Sequence, residues 1–216
     1  MGSTQFPAIT ALLLAGGRGT RMGGMDKGLQ AFNGMPLALH ALRRLRRQTL
    51  PPAELAINAN RHLDDYRAFG VPVWPDSLPG FPGPLAGFLT GLAHCRTPLL
   101  LTLPCDVPRF PLSLCERLAQ ALQAPGADIA VAATERAQPV FCLLRAGADL
   151  HDDLATYLAE SGRQVEAWTA RHRRVVVPFD DPHAFANANT LQELRALEQP
   201  TMTDGDNPCP HPPSAC

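Results

Sequence analysis

The sequence predicts an α/β domain built on a mostly parallel sheet with helices on both faces. Short apolar segments of strand length alternate along the chain with longer segments whose apolar residues recur at helical spacing. Alternation of this kind indicates a sheet whose parallel strands are connected by helices. With 216 residues, the chain is long enough for one domain of this type to bury its own core.

Seven short segments of high apolar or β-branched content are predicted strands. They are residues 9–14, 54–58, 71–74, 98–103, 128–133, 139–144 and 174–178. The segments with apolar residues three to four positions apart are predicted helices. These are residues 36–48, 85–94, 111–122, 148–160, 162–171 and 190–197, with Thr190 as the N-cap of the last one.

Helix 36–48 carries a pattern with two interpretations. Leu39, Leu42 and Leu45 are expected to face the core, while four arginines between positions 43 and 47 largely face solvent. The arginines would suit a nucleic-acid patch, but no aromatic residues lie among them, and the net charge of the chain is −1. A solvated helix face is therefore favoured, and nucleic acid is not expected as a partner.

Composition favours a cytoplasmic protein without a membrane partner. The apolar run at residues 9–15 is too short to span a membrane, and no basic leader precedes it. The six cysteines contain no Cys-x-x-Cys pair, which favours reduced thiols over a zinc site or a disulfide framework. Residues 1–198 are expected to form the domain, and the proline-rich residues 199–216 are expected to form a disordered tail.

A glycine-dense loop with a single lysine follows the first predicted strand. Six of the fourteen residues from Ala15 to Gly28 are glycines, and Lys27 is the only lysine of a chain that has eighteen arginines. Backbone N–H groups after a buried strand form a nest for anions, and an ammonium is a more compact charge than a guanidinium. Lys27 is therefore predicted to bind phosphate. The alternative is chance survival of one lysine in an arginine-rich composition.

This loop fits neither of two common phosphate-binding motifs. A Walker A loop needs Ser or Thr after the lysine, where Gly28 stands, and the dinucleotide fingerprint needs glycine in place of Met22. Gly16 and Gly17 would let a ligand approach the main chain closely. Arg21 is either a second cation for the phosphates or a partner in a salt bridge that shapes the loop.

Polar residues follow several predicted strands, at the edge where parallel α/β sheets bind ligands. Asn58, Asp76 and Asp106 each lie at or just after a strand end, as the glycine loop does. Asp106 is the candidate ligand for Mg²⁺, which binds one or two carboxylates and fills its other positions with water and phosphate oxygens. Pro108 leaves the alternative that Asp106 caps a turn or a helix.

Three further polar residues are candidates for supporting roles. Asn187 and Asn189 alternate, so that an extended segment would point both side chains to the same face. Paired amides suit a polar ligand or a metal-bound phosphate, and Asx-turns ahead of a helix fit the same residues equally well. Asp26 is expected to orient the adjacent Lys27.

The glycine loop resembles the signature loop of nucleotidyltransferases with a Rossmann-like, glycosyltransferase-A-type fold. Within that superfamily, the chain is most similar to the molybdenum cofactor guanylyltransferases. The loop alone indicates only the superfamily, whereas several segments in family order over residues 8–198 make the resemblance specific. These segments are residues 14–27, Asn58-Ala59-Asn60-Arg61-His62, Pro75-Asp76-Ser77, Pro82-Gly83-Pro84-Leu85-Ala86-Gly87, Pro104-Cys105-Asp106-Val107-Pro108 and Phe185-Ala186-Asn187-Ala188-Asn189-Thr190.

The resemblance implies an enzyme of the nucleotide-diphospho-sugar transferase type, with a single-domain, mostly parallel Rossmann-like sheet. The implied reaction transfers GMP from Mg-GTP to the terminal phosphate of the molybdenum–molybdopterin cofactor and releases pyrophosphate. Guanine is implied because the loop begins Leu-Ala-Gly-Gly, where related cytidylyltransferases tend to have Leu-Ala-Ala-Gly. Transient contacts with molybdenum cofactor synthesis proteins and molybdoenzyme chaperones are also implied.

The resemblance assigns site residues by their positions in these motifs. Catalytic roles fall to Lys27, Arg21 and Asp106, and Asp106 also holds the metal. Asp76 would accept hydrogen bonds from guanine, and Asn58 would contact the base or the ribose. The implied nucleotide-binding residues are Leu14, Ala15, Gly16, Gly17, Lys27, Asn58, Asp76, Gly83, Gly87 and Asp106, and the implied acceptor-binding residues are Asn187 and Asn189.

Other functions are compatible with the same residues. The fold also serves cytidylyl- and sugar-phosphate nucleotidyltransferases, and few substitutions in a pocket change its base preference. A non-catalytic nucleotide-binding regulator would keep the loop and could lose Asp106, but this chain has both. Gln138 stands before Pro139, where relatives often carry histidine, so the chain departs from the family pattern at this position.

Overall fold

A seven-stranded sheet forms the centre of the part of the chain that the computed structural model describes, residues 6–15, 26–78, 83–188 and 193–195. Together with a separate two-stranded pair, the described residues contain nine strands. They are β1 (Ile9–Leu14), β2 (Ala31–Phe32), β3 (Met35–Pro36), β4 (Glu54–Asn58), β5 (Val73–Trp74), β6 (Leu99–Pro104), β7 (Ile129–Ala133), β8 (Ala137–Arg145) and β9 (Arg174–Pro178). The order across the sheet is β5-β4-β1-β6-β8-β7-β9, and β2 and β3 pair separately.

Helices connect most of the strands. They are α1 (Leu37–Arg46), α2 (Leu63–Arg67), α3 (Pro84–His94), α4 (Leu114–Ala121), α5 (Ala148–Ala159) and α6 (Val165–Thr169). Among the described residues, two short 3₁₀ turns cover Lys27–Leu29 and Pro182–Phe185. Within the described residues, no helix is long and apolar enough to cross a membrane.

Strand β1 is an interior strand of the sheet and is buried along most of its length. It pairs in parallel with β4 on one edge and with β6 on the other, so that Leu14 lies opposite Asn58 and opposite Pro104. All three strands therefore end at the same edge of the sheet and at the same level. This register brings the segments that follow β1, β4 and β6 close together.

The sheet is mostly parallel, as the sequence predicts, with one exception. β8 runs antiparallel to both of its neighbours, β6 and β7. Only three residues connect β7 to β8, so the chain must reverse there, because a parallel connection would need a dozen or more residues. The parallel direction returns where β9 pairs with β7.

Two apolar cores lie on opposite faces of the sheet, because successive side chains of a strand point to opposite faces. On one face, Leu13 of β1 belongs to a buried cluster that includes Leu42 of α1 and Leu118 of α4. On the other face, Leu12 belongs to a cluster that includes Phe88 of α3 and Trp168 of α6. The predicted α/β architecture with helices on both faces is confirmed.

Helix α1 differs from its prediction in which residues face the core. Leu42 and Leu45 are fully buried as expected, but Leu39 is only half-buried. The buried stripe runs through Ala38 instead, and Leu39 lies about 100° round the helix from it, since one turn takes about 3.6 residues. Three of the four arginines are exposed, but Arg44 is half-buried, with its guanidinium 5.6 Å from the ring centre of Phe110.

Several predicted boundaries shift in the structure. The third strand is Val73–Trp74 rather than 71–74, and α4 begins at Leu114 rather than at 111, after a turn in which the N–H of Leu114 bonds to the carbonyl of Pro111. α6 covers Val165–Thr169 rather than 162–171, since the chain first reverses through Ser161 with a positive φ of 67°. The sequence missed α2, the β2–β3 pair and both 3₁₀ turns.

The C-terminal predictions mostly lie outside the described residues. Residues 193–195 are helical and fall within the predicted helix 190–197, but its proposed N-cap Thr190 is not described. The same holds for the tail at residues 199–216, so the domain boundary at 198 stays a prediction.

A glycine in α3 provides a test of how closely this helix packs on the sheet. A Cβ at Gly91 would lie 2.7 Å from Leu12 Cδ2 and 2.9 Å from Leu100 Cδ2. The substitution Gly91→Ala gains about 0.5–1 kcal/mol of helix propensity, but overpacking costs about 1–3 kcal/mol. We therefore expect a net loss in the free energy of unfolding, measured by urea denaturation.

The matched control for Gly91→Ala is Gly147→Ala, because Gly147 has an extended backbone with φ −175° and no atom within 4 Å of a Cβ built there. Gly147 is the N-cap of α5, where alanine is less favourable than glycine, so that variant should lose at most about 1 kcal/mol. If Gly91→Ala were as stable as wild type or more so, α3 would have room to move away from β1 and β6.

Candidate active site

The predicted site residues divide into those that the structure describes and those that it does not. Gly16, Gly17 and Arg21 of the glycine loop lie outside the described residues, as does Asn189. Their predicted roles stay predictions. The described ones are Leu14, Ala15, Lys27, Asn58, Asp76, Gly83, Gly87, Asp106 and Asn187.

Lys27 and Asp106 form an ion pair. Lys27 Nζ lies 3.0 Å from Asp106 Oδ2, although the two residues are 79 positions apart in the chain. The Lys27 side chain is 27% exposed and that of Asp106 is 13% exposed, so a ligand can reach the pair from solvent. The two residues that the sequence selected as phosphate ligand and metal ligand therefore meet at one point of the sheet edge.

The position of Asp106 follows from the register of the central strands. Asp106 is the second residue after β6, and the N–H of the intervening Cys105 donates to the carbonyl of Leu14 over 3.1 Å. On the other side, the carbonyl of Asp106 accepts a hydrogen bond of 2.8 Å from the N–H of Ala188. Main-chain contacts thus hold Asp106 between the end of β1 and the segment that carries Asn187, whose side chain is exposed.

Cys105, next to Asp106, is a packed side chain rather than a nucleophile. It is 6% exposed. Burial, and after it the Asp106 carboxylate, raise the pKa of the Cys105 thiol well above its usual value. With its pKa raised, the Cys105 thiol stays protonated at neutral pH. It is therefore unreactive, because the thiolate is the reactive form of cysteine.

A second polar group forms at the ends of β4 and β5. Asp76 Oδ1 accepts a hydrogen bond of 2.8 Å from Asn58 Nδ2, and Asp76 Oδ2 accepts one of 2.7 Å from Asn60 Nδ2. The backbone N–H of Asp76 donates in turn to Asn60 Oδ1 over 2.7 Å. Two amide side chains therefore fix the orientation of the Asp76 carboxylate before any ligand binds.

Asn60 is a residue that the analysis of the sequence did not select. Its amide makes two hydrogen bonds with Asp76, one to the carboxylate and one to the backbone. A signal was present in the sequence, because Asn58 and Asn60 are two positions apart and an extended segment points both side chains to the same side. What the sequence could not supply was the position of Asp76, which reaches this segment through the pairing of β4 with β5.

Two glycines near the start of α3, the N-cap Gly83 and Gly87 within the helix, were assigned to nucleotide binding and differ in their surroundings. Gly83 precedes Pro84 at the start of the helix, has a φ of 90°, and has open space where a Cβ would be. At Gly87, a Cβ would lie 2.5 Å from Asn58 Oδ1 and 2.7 Å from Leu14 Cδ2. Gly87 therefore allows α3 to pack directly against Asn58, and Gly83 supplies the positive φ that favours glycine.

The described residues contain no cluster of side chains that could bind a metal ion without other ligands. Among residues 6–15, 26–78, 83–188 and 193–195, no three or more His, Cys, Asp or Glu side chains group where they could hold an ion. Asp106 offers a single carboxylate at the sheet edge. A cation held there would take most of its ligands from water and from a bound substrate.

A family model described as a MobA-like NTP transferase domain matches residues 11–176 of the chain. The chain belongs to this family. The matched region contains most of β1, the Lys27–Asp106 pair and the Asp76 group, so this part of the candidate site lies within the family domain. The protein is therefore a nucleotidyltransferase, and the prediction of an enzyme is confirmed.

Relatives that are more than half identical are molybdenum cofactor guanylyltransferases. The protein of that name from Albidiferax ferrireducens is 58% identical over 204 residues, which cover 88% of this chain and 95% of the relative. The one from Bordetella pertussis is 56% identical over 195 residues, with 88% and 96% covered. The resemblance inferred from the motifs is thus confirmed at the level of the family.

Solved structures agree with the fold. Molybdopterin-guanine dinucleotide biosynthesis protein A from Archaeoglobus fulgidus superposes with a TM-score of 0.71 at 20% identity, covering 88% of this chain and 96% of that one. A 4-diphosphocytidyl-2C-methyl-D-erythritol synthase from Anaerococcus prevotii gives 0.69 at 12% identity, covering 88% and 94%. At such identities, the likeness concerns the fold alone.

The Lys27–Asp106 pair should contribute little to stability, and this separates its role in activity from a role in folding. An ion pair that solvent can reach contributes about 0–1 kcal/mol. We expect Asp106→Asn to change the free energy of unfolding by less than about 1 kcal/mol in urea denaturation. A loss of several kcal/mol would contradict this and would make Asp106 part of the folding core.

Proposed function

We propose that this nucleotidyltransferase joins GMP from Mg-GTP to the terminal phosphate of the molybdenum–molybdopterin cofactor and releases pyrophosphate. The observation that carries the proposal is the contact between Lys27 and Asp106 at the edge where β1 and β6 end. It combines a cation for phosphates with a carboxylate for a metal ion in a chain whose relatives are molybdenum cofactor guanylyltransferases. The product is the guanine dinucleotide form of the cofactor.

The donor atoms at the site fit Mg²⁺. The ion prefers oxygen ligands, binds through one or two carboxylates and keeps several waters or phosphate oxygens. Asp106 supplies one carboxylate that is 13% exposed, and the described residues around it offer no soft thiolate or imidazole cluster that would select another metal. When bound, Mg²⁺ would neutralise charge on the phosphate oxygens of the nucleotide. Asp106 is the residue that would hold it.

The reaction needs a cation and correct positioning rather than a strong base. A phosphate oxygen of the acceptor attacks the α-phosphorus of GTP, a P–O–P bond forms, and the bond between the α-phosphorus and its bridging oxygen breaks. Pyrophosphate leaves with that electron pair. The acceptor is a phosphate monoester that is already ionised at neutral pH, so it carries no proton that must be removed. Lys27 stabilises the negative charge that grows on the departing pyrophosphate.

Asp76 is the group that selects the base. Guanine presents two neighbouring donors, N1–H and N2–H, whereas cytosine presents an acceptor beside a donor. A carboxylate only accepts, so it pairs with both guanine donors and leaves the acceptor of cytosine unpaired. Asn58 and Asn60 hold Asp76 in one orientation, and each carboxylate oxygen retains capacity for a further hydrogen bond.

The acceptor is proposed to bind beside Asp106. The chain that carries Asn187 is fixed there by the hydrogen bond from Ala188 to the carbonyl of Asp106, and the Asn187 side chain is exposed to a ligand. Asn189 is proposed to act with it. Gln138 donates to the Thr134 hydroxyl over 3.3 Å, so its amide is engaged within the β7–β8 hairpin.

The alternatives with cytidylyl or sugar-phosphate substrates, or with no turnover, are not favoured, because the relatives are guanylyltransferases. Transient contacts with molybdenum cofactor synthesis proteins and molybdoenzyme chaperones remain part of the proposal, as does a cytoplasmic location. The resemblance to the molybdenum cofactor guanylyltransferases implies the contacts, and the composition of the chain favours the location.

Replacing Lys27 tests the catalytic assignment. We expect Lys27→Ala to lower kcat by roughly 10²–10³-fold, the usual cost of removing one group that stabilises transition-state charge. The assay measures pyrophosphate release with Mg-GTP and the molybdenum-loaded cofactor. The matched control is Lys27→Arg, which keeps the charge but not the compact shape and should retain only part of the activity. Near-normal turnover of Lys27→Ala would remove Lys27 from the mechanism.

Replacing Asn60 tests base selection. We expect Asn60→Ala to weaken Mg-GTP binding roughly tenfold, as for loss of hydrogen bonds to a charged group, and to affect Mg-CTP less. Isothermal calorimetry with both nucleotides measures this, with Gln123→Ala, an exposed amide residue beyond the end of α4, as control. Equal losses for GTP and CTP would show that Asn60 shapes the site without reading the base.

A further inference from the structure

Asp26, the residue before Lys27, has a buried carboxylate with two hydrogen-bond donors. It is 7% exposed, and its Oδ1 atom accepts two hydrogen bonds. One comes from the backbone N–H of Gly28 over 3.1 Å, and the other comes from the hydroxyl of Tyr66 over 2.5 Å. A buried carboxylate needs such partners, because an unpaired buried charge is costly. Asp26 is thereby anchored to a helix 40 residues away in the chain.

Tyr66 is a rigid anchor for this contact. It is fully buried in α2, within the apolar cluster that also contains Leu13 and Leu42, and its ring packs edge-on against Phe69 at 5.9 Å. Burial raises the pKa of the Tyr66 phenol, so the hydroxyl keeps its proton and remains a donor at any physiological pH. The donor that Asp26 meets is therefore fixed both in place and in protonation state.

Gly28 completes the contact because it has no side chain. A Cβ at this position would lie 2.3 Å from the Tyr66 hydroxyl oxygen, closer than any such contact allows, and 3.2 Å from the ring carbons Cε1 and Cζ. The Tyr66 hydroxyl thus occupies the space that any other residue at position 28 would need. This explains a glycine directly after the lysine, which rules out a Walker A loop.

Lys27 lies between the two residues that Tyr66 contacts. Asp26 and Gly28 flank it, and the 3₁₀ turn that begins at Lys27 is closed by hydrogen bonds from Leu29 to the carbonyl of Asp26 and from Gln30 to the carbonyl of Lys27. Because both neighbours of Lys27 are held, its backbone is held from both sides. From there its side chain reaches Asp106, with Nζ 3.0 Å from Oδ2.

We propose that Tyr66 is a positioning residue for Lys27: through Asp26 and the space left by Gly28, it holds the lysine against Asp106. Tyr66 itself touches no substrate. The inference rests on the proposed function for the role of Lys27, but the geometry of the contact stands without it. Under this proposal, the five-residue helix α2 contributes to the reaction by placing Tyr66.

Tyr66→Phe is the first test, because it keeps the ring and removes only the hydroxyl. The expected result is a roughly tenfold lower kcat for GMP transfer, corresponding to one lost hydrogen bond to a charged group. The control is Tyr157→Phe, the only other tyrosine, which lies on α5 with its hydroxyl 3.4 Å from the carbonyl of Gln164. This control should keep wild-type kcat.

A purely structural role is separated from a positioning role by two readouts. Activity is measured well below the unfolding midpoint of each variant, where a structural role would leave the kcat of the folded enzyme unchanged. Because the chain has a single lysine, protein labelled with ¹³C-lysine gives one set of lysine signals in NMR spectra. We expect Tyr66→Phe to shift the Lys27 side-chain signals and Tyr157→Phe to leave them in place.

Gly28 supplies a second pair of variants in case Tyr66→Phe alone is poorly folded. Gly28→Ala places a methyl group against the Tyr66 hydroxyl, so we expect a large loss of kcat. In the double variant Gly28→Ala/Tyr66→Phe, the nearest ring atoms are 3.2 Å away. The double variant should therefore be more active than Gly28→Ala alone.

Each outcome decides the proposal. A kcat for Tyr66→Phe within twofold of wild type, together with unchanged Lys27 signals, would overturn it, as would a double variant no better than Gly28→Ala. If the wild-type protein transferred no GMP, the proposed function would fail, and the Lys27 signals alone would then decide whether Tyr66 positions the lysine.

Discussion

The parallel register of β4, β1 and β6 is the constraint on which the rest of the site depends. Leu14 lies opposite both Asn58 and Pro104, so the chain leaves all three strands at one level. Backbone hydrogen bonds continue this alignment past the strand ends, from Ala15 to the carbonyl of Asn58 and from Cys105 to the carbonyl of Leu14. A slip of one residue would reverse the faces of every side chain in β1 and would separate Lys27 from Asp106.

Around this edge of the sheet, side-chain hydrogen bonds hold the carboxylates of the candidate site in place. Amides of Asn58 and Asn60 fix Asp76, and Tyr66 fixes Asp26 beside Lys27. Such groups are aligned before a nucleotide binds, so binding energy need not be spent on ordering them. The same arrangement explains why two glycines near the site are tightly surrounded. Gly28 leaves room for the Tyr66 hydroxyl, and Gly87 leaves room for Asn58.

Much of the fold followed from apolar periodicity. The bounds of β1, β4 and β9 agree with the predicted ones, since buried strands are short apolar runs with clear ends. The misses share a physical cause. The five-residue α2 is too short to show a period, and its buried Tyr66 is an isolated signal. The partial exposure of Leu39 in α1 depends on where the helix begins and on the surface that it meets, neither of which is visible in local spacing.

The sequence by itself determined the chemistry of this protein: a lone lysine at the end of a glycine loop, polar residues at strand ends, and motifs in the order of a nucleotidyltransferase family. These are properties of residue type and spacing, which local patterns record. Only the tertiary structure decided which groups meet. Lys27 joins Asp106, Asp76 joins Asn60, and Tyr66 reaches Asp26 across 40 positions, because strand pairing and helix packing bring together residues that no local pattern connects.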